Sequence, residues 1–153
     1  MSNLKTFCIL PFTHLATYPQ GEVTVCCESK IKLKHKGEVV KLGSTSIEDI
    51  RKSDTLTEIR SDMMEGREHS ACEFCYSREK AGLVSKRMRE NIKYSYKEEH
   101  IETYKKLPLY SIELRLGNVC NAKCIICNPY SSSKWNEDTD NFIKENFEGG
   151  YEK

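Results

Sequence analysis

The sequence lacks the features that usually identify membrane, secreted and nucleic-acid-binding proteins. No apolar run approaches the roughly 18 residues that a membrane-spanning helix needs. The apolar stretch 7–12 is interrupted by Pro11 and is too short for a secretory signal. Lys and Arg number 24 against 23 Asp and Glu, so the net charge of +1 gives neither a nucleic-acid footprint nor a polybasic membrane anchor. We therefore expect a cytoplasmic protein with no nucleic-acid partner and no membrane partner.

Other common chemical signatures are missing too. The sequence has no glycine-rich phosphate loop and no Gly-x-Ser-x-Gly nucleophile motif. Its four histidines do not pair with one another at the spacing of metal ligands. With 38% apolar residues and 31% charged residues of mixed sign, the chain has the composition of a soluble, folded protein.

Cysteine, in contrast, is abundant. The chain has eight cysteines, clustered in close pairs and one triplet. A disulfide scaffold is disfavoured, because the sequence has no secretory signal and thiols stay reduced in the cytosol. Burial as apolar residues explains any single cysteine but not their clustering. Clustering favours metal or cluster ligation, since thiolates a few residues apart can reach one inorganic centre.

The sharpest pattern is Cys-x3-Cys-x2-Cys, formed by Cys120, Cys124 and Cys127. A closed zinc site and a cubane cluster each use four ligands, so three thiolates leave one position open for chemistry. Alternating apolar residues predict a strand over residues 109–116 before this loop. A helix is predicted after it, with N-caps among Ser131, Ser132 and Ser133, containing Trp135, Phe142, Ile143 and Phe147, and ending at Gly149 and Gly150.

The stretch LRLGNVCNAKCIICNPYSSSKW resembles the start of a radical SAM domain, in which such a loop follows the first strand of a parallel barrel. The resemblance implies a [4Fe–4S] cluster held by Cys120, Cys124 and Cys127, with S-adenosyl-L-methionine bound at the open iron. Reductive cleavage of that cofactor would give a 5′-deoxyadenosyl radical that abstracts a substrate hydrogen. Ile126 stands where many relatives have an aromatic residue facing the adenine, so we expect an aliphatic adenine contact there.

The N-terminal half has a second pattern: a cysteine, a gap, Gly-x4-Cys, a helical stretch and Cys-x2-Cys. Together with the text FCILPFTHLATYPQGEVTVCC it resembles the SPASM/twitch auxiliary-cluster module, here preceding the radical SAM part. The resemblance implies an auxiliary [4Fe–4S] cluster on Cys8, Cys26, Cys72 and Cys75, with zinc as the alternative metal. Cys27 is then left over, and we interpret it as a structural or spare thiol.

These patterns predict an α+β protein: a small Cys-rich hairpin and helix domain, then the first β-loop-α unit of a partial (β/α) TIM-type barrel. The boundaries are residues 1–78 for the auxiliary-cluster domain, 79–108 for a helical connector and 109–153 for an incomplete radical SAM domain.

Within the first domain, Gly21 and Gly37 are expected in hairpin turns, and Ser46–Asp49 and Thr55–Glu58 as capping boxes. A helical stripe that closes at Gly66 is interpreted as core: Ile47, Ile50, Leu56, Ile59 and Met63. In the connector, an amphipathic bridging helix is predicted with Leu83, Met88, Ile92 and Tyr96 near helical spacing and Lys86, Arg87, Arg89 and Lys93 on a solvated face.

Two functional hypotheses follow. The first is a radical SAM enzyme acting on a peptide or protein substrate by analogy with relatives, and reduced by a flavodoxin or ferredoxin type protein. Only one barrel unit is recognisable, so the chain is expected to be a fragment or truncated form with little activity alone. The alternative is a non-catalytic metal-binding module, with zinc or iron–sulfur, for structure, electron transfer or partner docking.

Overall fold

The structure is a computed structural model that describes residues 5–94 and 101–147. The chain divides into two compact units, Met1–Arg115 and Leu116–Lys153. Small sheets and helices mix in the chain, as expected for an α+β protein, while the partial barrel stays a prediction. None of the helices in the described ranges is long and apolar enough to cross a bilayer.

A three-stranded sheet organises the first unit. Strand β1 (His14–Thr17) pairs antiparallel with β2 (Val23–Thr24) and parallel with β5 (Ser111–Glu113), giving the order β2-β1-β5. The strand predicted over residues 109–116 is therefore shorter than expected and lies beside the N-terminal hairpin. Both ends of the first unit meet in one sheet, with β1 at its centre.

The two predicted hairpin turns are confirmed. Gly21 turns the chain between β1 and β2 at a φ of 86°. The second hairpin pairs β3 (Lys34–His35) with β4 (Glu38–Val39), and its two turn residues have φ of 51° (Lys36) and 83° (Gly37). Positive φ at both central residues matches the right-handed twist of a hairpin, which is why a glycine is found there.

The Ser46 N-cap of the predicted Ser46–Asp49 capping box is confirmed. Helix α2 (Ile47–Arg51) begins after Ser46, whose Oγ accepts a hydrogen bond from the Asp49 backbone N–H at 3.1 Å. The Ser46 hydroxyl also donates to the Asp49 carboxylate. This reciprocal pairing satisfies one backbone donor that the first turn would otherwise leave open.

The Thr55–Glu58 capping box is wrong. Helix α3 (Asp54–Met64) begins two residues earlier than predicted, after Ser53, which makes no side-chain cap bond. The Thr55 hydroxyl instead accepts a hydrogen bond from the Lys34 N–H at 3.1 Å. The Thr55 hydroxyl therefore makes a tertiary contact with the β3 backbone and does not cap the helix, contrary to what the local sequence pattern indicates.

The helical stripe is confirmed as core, with one exception. Ile50, Leu56, Ile59 and Met63 are fully buried in one cluster with residues of the strands, whereas Ile47 is exposed. A second cluster joins α1 (Leu10–Thr13) to helix α6 (Ile101–Lys105), and its buried members are Phe7, Ile9, Phe12 and Tyr104.

The connector is not one helix. Helix α4 (Glu73–Lys80) ends in a turn at Gly82, with a φ of 74°, and α5 (Lys86–Lys93) follows. The predicted stripe residue Tyr96 lies outside the described residues. The other predicted stripe residues are exposed: Leu83, Met88 and Ile92, the last at 74%. The predicted solvated face is therefore wrong for Lys86 and Arg87, which pack against the protein, and confirmed for Arg89 and Lys93, which are exposed.

The second unit contains the cysteine loop, a short 3-10 turn (Ser133–Trp135) and helix α7 (Asn136–Asn146). The predicted serine caps are wrong: α7 follows Trp135 directly, and neither start has a side-chain cap bond. The Ser132 hydroxyl donates to the Ala122 carbonyl oxygen at 2.8 Å instead. The glycine pair predicted to end the helix lies outside the described residues.

Candidate metal centres

Four of the predicted ligand residues are brought together in the first unit. Cys8, Cys26, Cys72 and Cys75 all line one cavity, although up to 67 positions separate them in sequence. Apolar atoms dominate the rest of its wall, contributed by Leu10, Pro11, Val25, Ala71 and Phe74. The four cysteines that the sequence pattern groups together therefore lie at one place in the fold.

Three separate segments place these sulfurs. Cys8 lies just before α1, Cys26 follows β2, and Cys72 ends a 3-10 turn (Ser70–Cys72) that continues into α4 with Cys75. Sequence-distant segments can hold such positions only when the surrounding core is formed. The site is accordingly a product of the whole first unit and not of one local motif.

The segment carrying Cys8 is fixed by arginines from the helices. The Arg60 guanidinium donates from Nε and Nη2 to the Pro11 carbonyl oxygen, at 2.9 and 2.7 Å. Arg51 donates from Nη1 to the Phe12 carbonyl oxygen at 3.3 Å. These bonds satisfy carbonyls of a four-residue helix that has too few backbone bonds to hold itself.

Local hydrogen bonds shape the other two segments. The Ser29 N–H donates to the Cys26 carbonyl oxygen at 3.1 Å, turning the chain sharply after β2. Before Cys72, the His69 ring Nδ1 accepts from the Ala71 N–H at 3.0 Å, and the His69 carbonyl accepts from the Cys72 N–H at 2.9 Å. His69 therefore acts as the cap of the turn that presents the Cys-x2-Cys pair.

Burial changes the chemistry of these thiols. It raises the pKa of Cys26 to about 11 and of Cys72 to about 12, and it raises the pKa of Cys8 well above its ordinary value. Mutual repulsion among the neighbouring thiolates adds to the effect of burial. As free thiols these groups remain protonated at neutral pH, so thiolate ligation there requires a metal to supply compensating positive charge.

The donor set fits a centre that takes four thiolates. Within the described ranges, no three His, Cys, Asp or Glu side chains stand at the mutual distances of a formed metal-ion site. The four cysteines line one cavity without forming a compact single-ion site. Sulfur donors in an apolar pocket suit a soft, thiolate-bound centre, either an iron–sulfur cluster or zinc.

Two cations line the same cavity, and the sequence analysis missed both. Lys86 and Arg87 begin α5 and were interpreted as part of a solvated face, which is wrong. Arg87 is only 9% exposed, forms an ion pair with Glu79, and donates from Nη1 to the Phe7 carbonyl oxygen at 2.7 Å. The sequence did not indicate the burial of Arg87, because the polar face of an amphipathic helix is usually the solvated one, and in α5 apolar residues face outward.

Cys27 lies beside the cavity but not on its wall. Its Sγ is 2.8 Å from Lys86 Nζ, and the side chain is partly buried. The Cys26 sulfur lines the cavity, whereas Cys27 is absent from the lining residues. The structure therefore separates the two adjacent cysteines, and Cys27 has a definite hydrogen-bond partner.

The predicted C-terminal ligands lie in the second unit. Cys124 is exposed, while Cys120 and Cys127 are partly buried. The Cys127 N–H donates to the Cys124 carbonyl oxygen at 2.9 Å, and the Ala122 N–H donates to Cys120 Sγ at 3.4 Å. The loop is a compact turn whose sulfurs remain accessible.

Residues after the loop hold it in shape. The Trp135 indole Nε1 donates to the Cys124 carbonyl oxygen at 3.2 Å, and Asn118 Nδ2 donates to the Pro129 carbonyl oxygen at 3.1 Å. Ile126, the predicted adenine contact, is 93% exposed. Its side chain is therefore accessible to a ligand at the tip of the loop.

Comparison with known proteins finds one family. Residues 8–76 match the family model of SPASM, an iron–sulfur cluster-binding domain. The matched segment begins at Cys8 and includes the three other thiols of the cavity, and it excludes the loop of residues 120–127. Neither the curated proteins nor the solved structures include a match to the chain. The match supports the auxiliary-cluster domain and iron–sulfur binding there, and it does not favour the alternative of a non-catalytic module.

Proposed function

We propose that the chain is a radical SAM iron–sulfur protein, or a part of one, with an N-terminal auxiliary cluster. The observation that carries the proposal is the convergence of four cysteines, three buried and one partly buried, on one cavity in the segment that is similar to SPASM. The separate Cys-x3-Cys-x2-Cys loop supports the radical SAM assignment by its resemblance alone. In this proposal, Cys8, Cys26, Cys72 and Cys75 hold the auxiliary [4Fe–4S] cluster.

In this proposal, the first unit provides a mostly apolar environment for the auxiliary cluster. Apolar residues make up most of the cavity wall, and the cations at the start of α5 would offset the negative charge of thiolate ligands. With all four thiolate positions used, that site offers no place for S-adenosylmethionine, so its role is electron relay or structural support. Its cluster type is proposed by analogy, with zinc as the competing metal.

The loop contributes an open coordination position. Cys120, Cys124 and Cys127 would hold a second [4Fe–4S] cluster, and the cluster with S-adenosylmethionine supplies reductive cleavage and a hydrogen-abstracting radical when bound. The chain's own residues orient the loop: Trp135 fixes the Cys124 carbonyl and Ser132 fixes that of Ala122. Ile126 stands exposed for an apolar contact with the adenine ring.

The remaining parts of the proposal follow from the resemblance. The substrate class is a peptide or protein, the electron donor is a flavodoxin or ferredoxin type protein, and the site of action is the cytoplasm. The balanced charge of +1 agrees with this choice of partners, because it offers no extended basic surface for nucleic acid.

Anaerobic reconstitution tests the proposal. The chain is loaded with iron and sulfide, and iron, acid-labile sulfide and zinc are measured together with visible absorption. We expect two clusters, and a triple alanine variant of Cys120, Cys124 and Cys127 should lose one and keep the other. Alanine at Cys72 and Cys75 should produce the complementary loss. Stoichiometric zinc without acid-labile sulfide would contradict the proposal.

A further inference from the structure

Lys86 occupies an unusual position for a lysine. Its side chain is 19% exposed and lines the four-thiol cavity, with Nζ 2.8 Å from Cys27 Sγ and 3.8 Å from the Glu113 carboxylate. The preceding residue, Ser85, is buried and caps α5 by accepting from the Met88 N–H at 3.1 Å. The helix start is thereby fixed, and with it the direction from which Lys86 approaches the cavity.

Two ion pairs beside the cavity have the same orientation relative to it. Lys86 and Arg87 line it as cations, while their carboxylate partners, Glu113 and Glu79, do not. Glu28 is the one acidic residue on that wall among the residues that the structure describes. Both ion pairs thus turn their positive ends toward the sulfurs, and Lys86 is the cation whose partner is more distant.

We propose that Lys86 is a positioning charge that sets the reduction potential of the auxiliary cluster, and that Glu113 opposes it. The inference rests on the proposed iron–sulfur function of the four-thiol cavity. A thiolate-ligated cluster is anionic, and uptake of one electron from an external reductant increases that charge without making or breaking a bond. A nearby cation in a poorly solvated wall stabilises the reduced form more than the oxidised form.

Glu113 makes the inference specific. It lies on β5, pairs with Ala16 of β1, and faces Lys86 from outside the cavity. Neutralising Glu113, which also pairs with Arg115, removes the negative charge that opposes Lys86, whereas neutralising Lys86 removes the positive charge itself. The two substitutions therefore have opposite effects on the reduction potential, which a general loss of packing would not produce.

The experiment measures the midpoint potential of the auxiliary cluster by spectroelectrochemical titration. The background is the variant with alanine at Cys120, Cys124 and Cys127, so that one cluster is observed. Lys86→Met should shift the potential to more negative values, and Lys86→Arg should stay near the parent. Glu113→Gln should shift it to more positive values. Lys93→Met is the matched control on the same helix, since Lys93 is 69% exposed and does not line the cavity.

The outcomes separate this inference from the proposed function. Full iron and sulfide content with unchanged potentials in Lys86→Met and Glu113→Gln would overturn the role of Lys86 and leave cluster binding intact. If Lys86→Met fails to retain iron, the inference is tested by the Glu113→Gln variant alone. An unchanged or more negative midpoint potential in that variant would overturn the inference. Zinc alone in the parent protein would overturn both proposals, because zinc has no reduction step to tune.

Discussion

His14 Nδ1 lies 2.7 Å from the Ser111 hydroxyl oxygen and joins two strands that are 97 positions apart in sequence. The two residues are also register partners in the parallel β1–β5 pair. His14 is 8% exposed, and within the described part of the chain its buried Nε2 has no hydrogen-bond partner. This arrangement suits a neutral imidazole, because a second ring proton would be buried without an acceptor.

The fold should consequently be sensitive to acid through His14. Burial lowers its pKa from the ordinary value of 6.5, and Lys86 and Lys93 lower it further, while Glu113 and Glu90 act in the opposite direction. A depressed folded-state pKa contributes stability above pH 6.5 that is lost as the pH falls through the lower, folded-state pKa. The unfolding free energy of the parent protein should fall between pH 7 and 5, and we expect a smaller fall in His14→Gln. Urea denaturation at each pH measures both. Parallel curves for parent and variant would contradict this expectation.

Arg87 should be the most sensitive polar residue of α5. Replacing it by Met removes its bond to the Phe7 carbonyl and leaves the Glu79 carboxylate without its ion-pair partner in a poorly solvated site. Breaking a buried ion pair in this way costs about 3 kcal/mol of unfolding free energy. Chemical denaturation measures the change, and Arg87→Lys should recover part of it.

The neighbouring Arg89 provides the matched comparison. It is exposed on the same helix, so Arg89→Met should change the unfolding free energy by less than about 0.5 kcal/mol. A comparable loss in both variants would mean that Arg87 is not the buried anchor of this segment.

The grouping of the four cysteines could be predicted because clustered cysteines are rare in a sequence and can be recognised without a three-dimensional structure. Cys8, Cys26, Cys72 and Cys75 could be grouped without knowing the path of the chain between them. The same holds for Gly37, whose backbone conformation few other residues adopt. These predictions depend on local chemistry that one residue type alone supplies.

The prediction that Lys86 and Arg87 are solvated failed for a different reason. Polar residues at helical spacing are usually solvated, and nothing in the sequence marks Arg87 as the residue whose guanidinium reaches the Phe7 carbonyl. Likewise, Thr55 has the type and spacing of a helix cap, but the β3 backbone uses its hydroxyl. Both contacts join segments 21 or more positions apart, so they depend on tertiary structure that a local pattern does not contain.

Cys72 and Cys27 should differ in how strongly they affect the loaded protein. Cys72 lines the cavity, so Cys72→Ala removes a ligand and with it the folding free energy that metal binding supplies. Cys27→Ala removes one hydrogen bond from Lys86, a loss of about 1 kcal/mol. Thermal unfolding of each variant, with and without iron and sulfide, measures the stabilisation due to the cluster. Cys72→Ala should abolish most of that difference and Cys27→Ala should preserve it. Equal losses in the two variants would contradict the assignment of Cys72 as a ligand.

Ile126 should contribute to cofactor affinity if the loop binds S-adenosylmethionine as proposed. Its side chain is 93% exposed at the loop and therefore has apolar surface to bury against an adenine ring. Truncation to Ala removes about three carbon atoms, which corresponds to a loss of roughly tenfold or more in affinity if the contact is complete. Equilibrium binding of S-adenosylmethionine to the anaerobically loaded protein measures this loss. Ile125 is the matched control because it is equally exposed, at 94%, and adjacent in sequence. A larger loss of affinity in Ile125→Ala than in Ile126→Ala would mean that Ile125 makes the adenine contact. Unchanged affinity in both variants would mean that neither isoleucine contacts the cofactor.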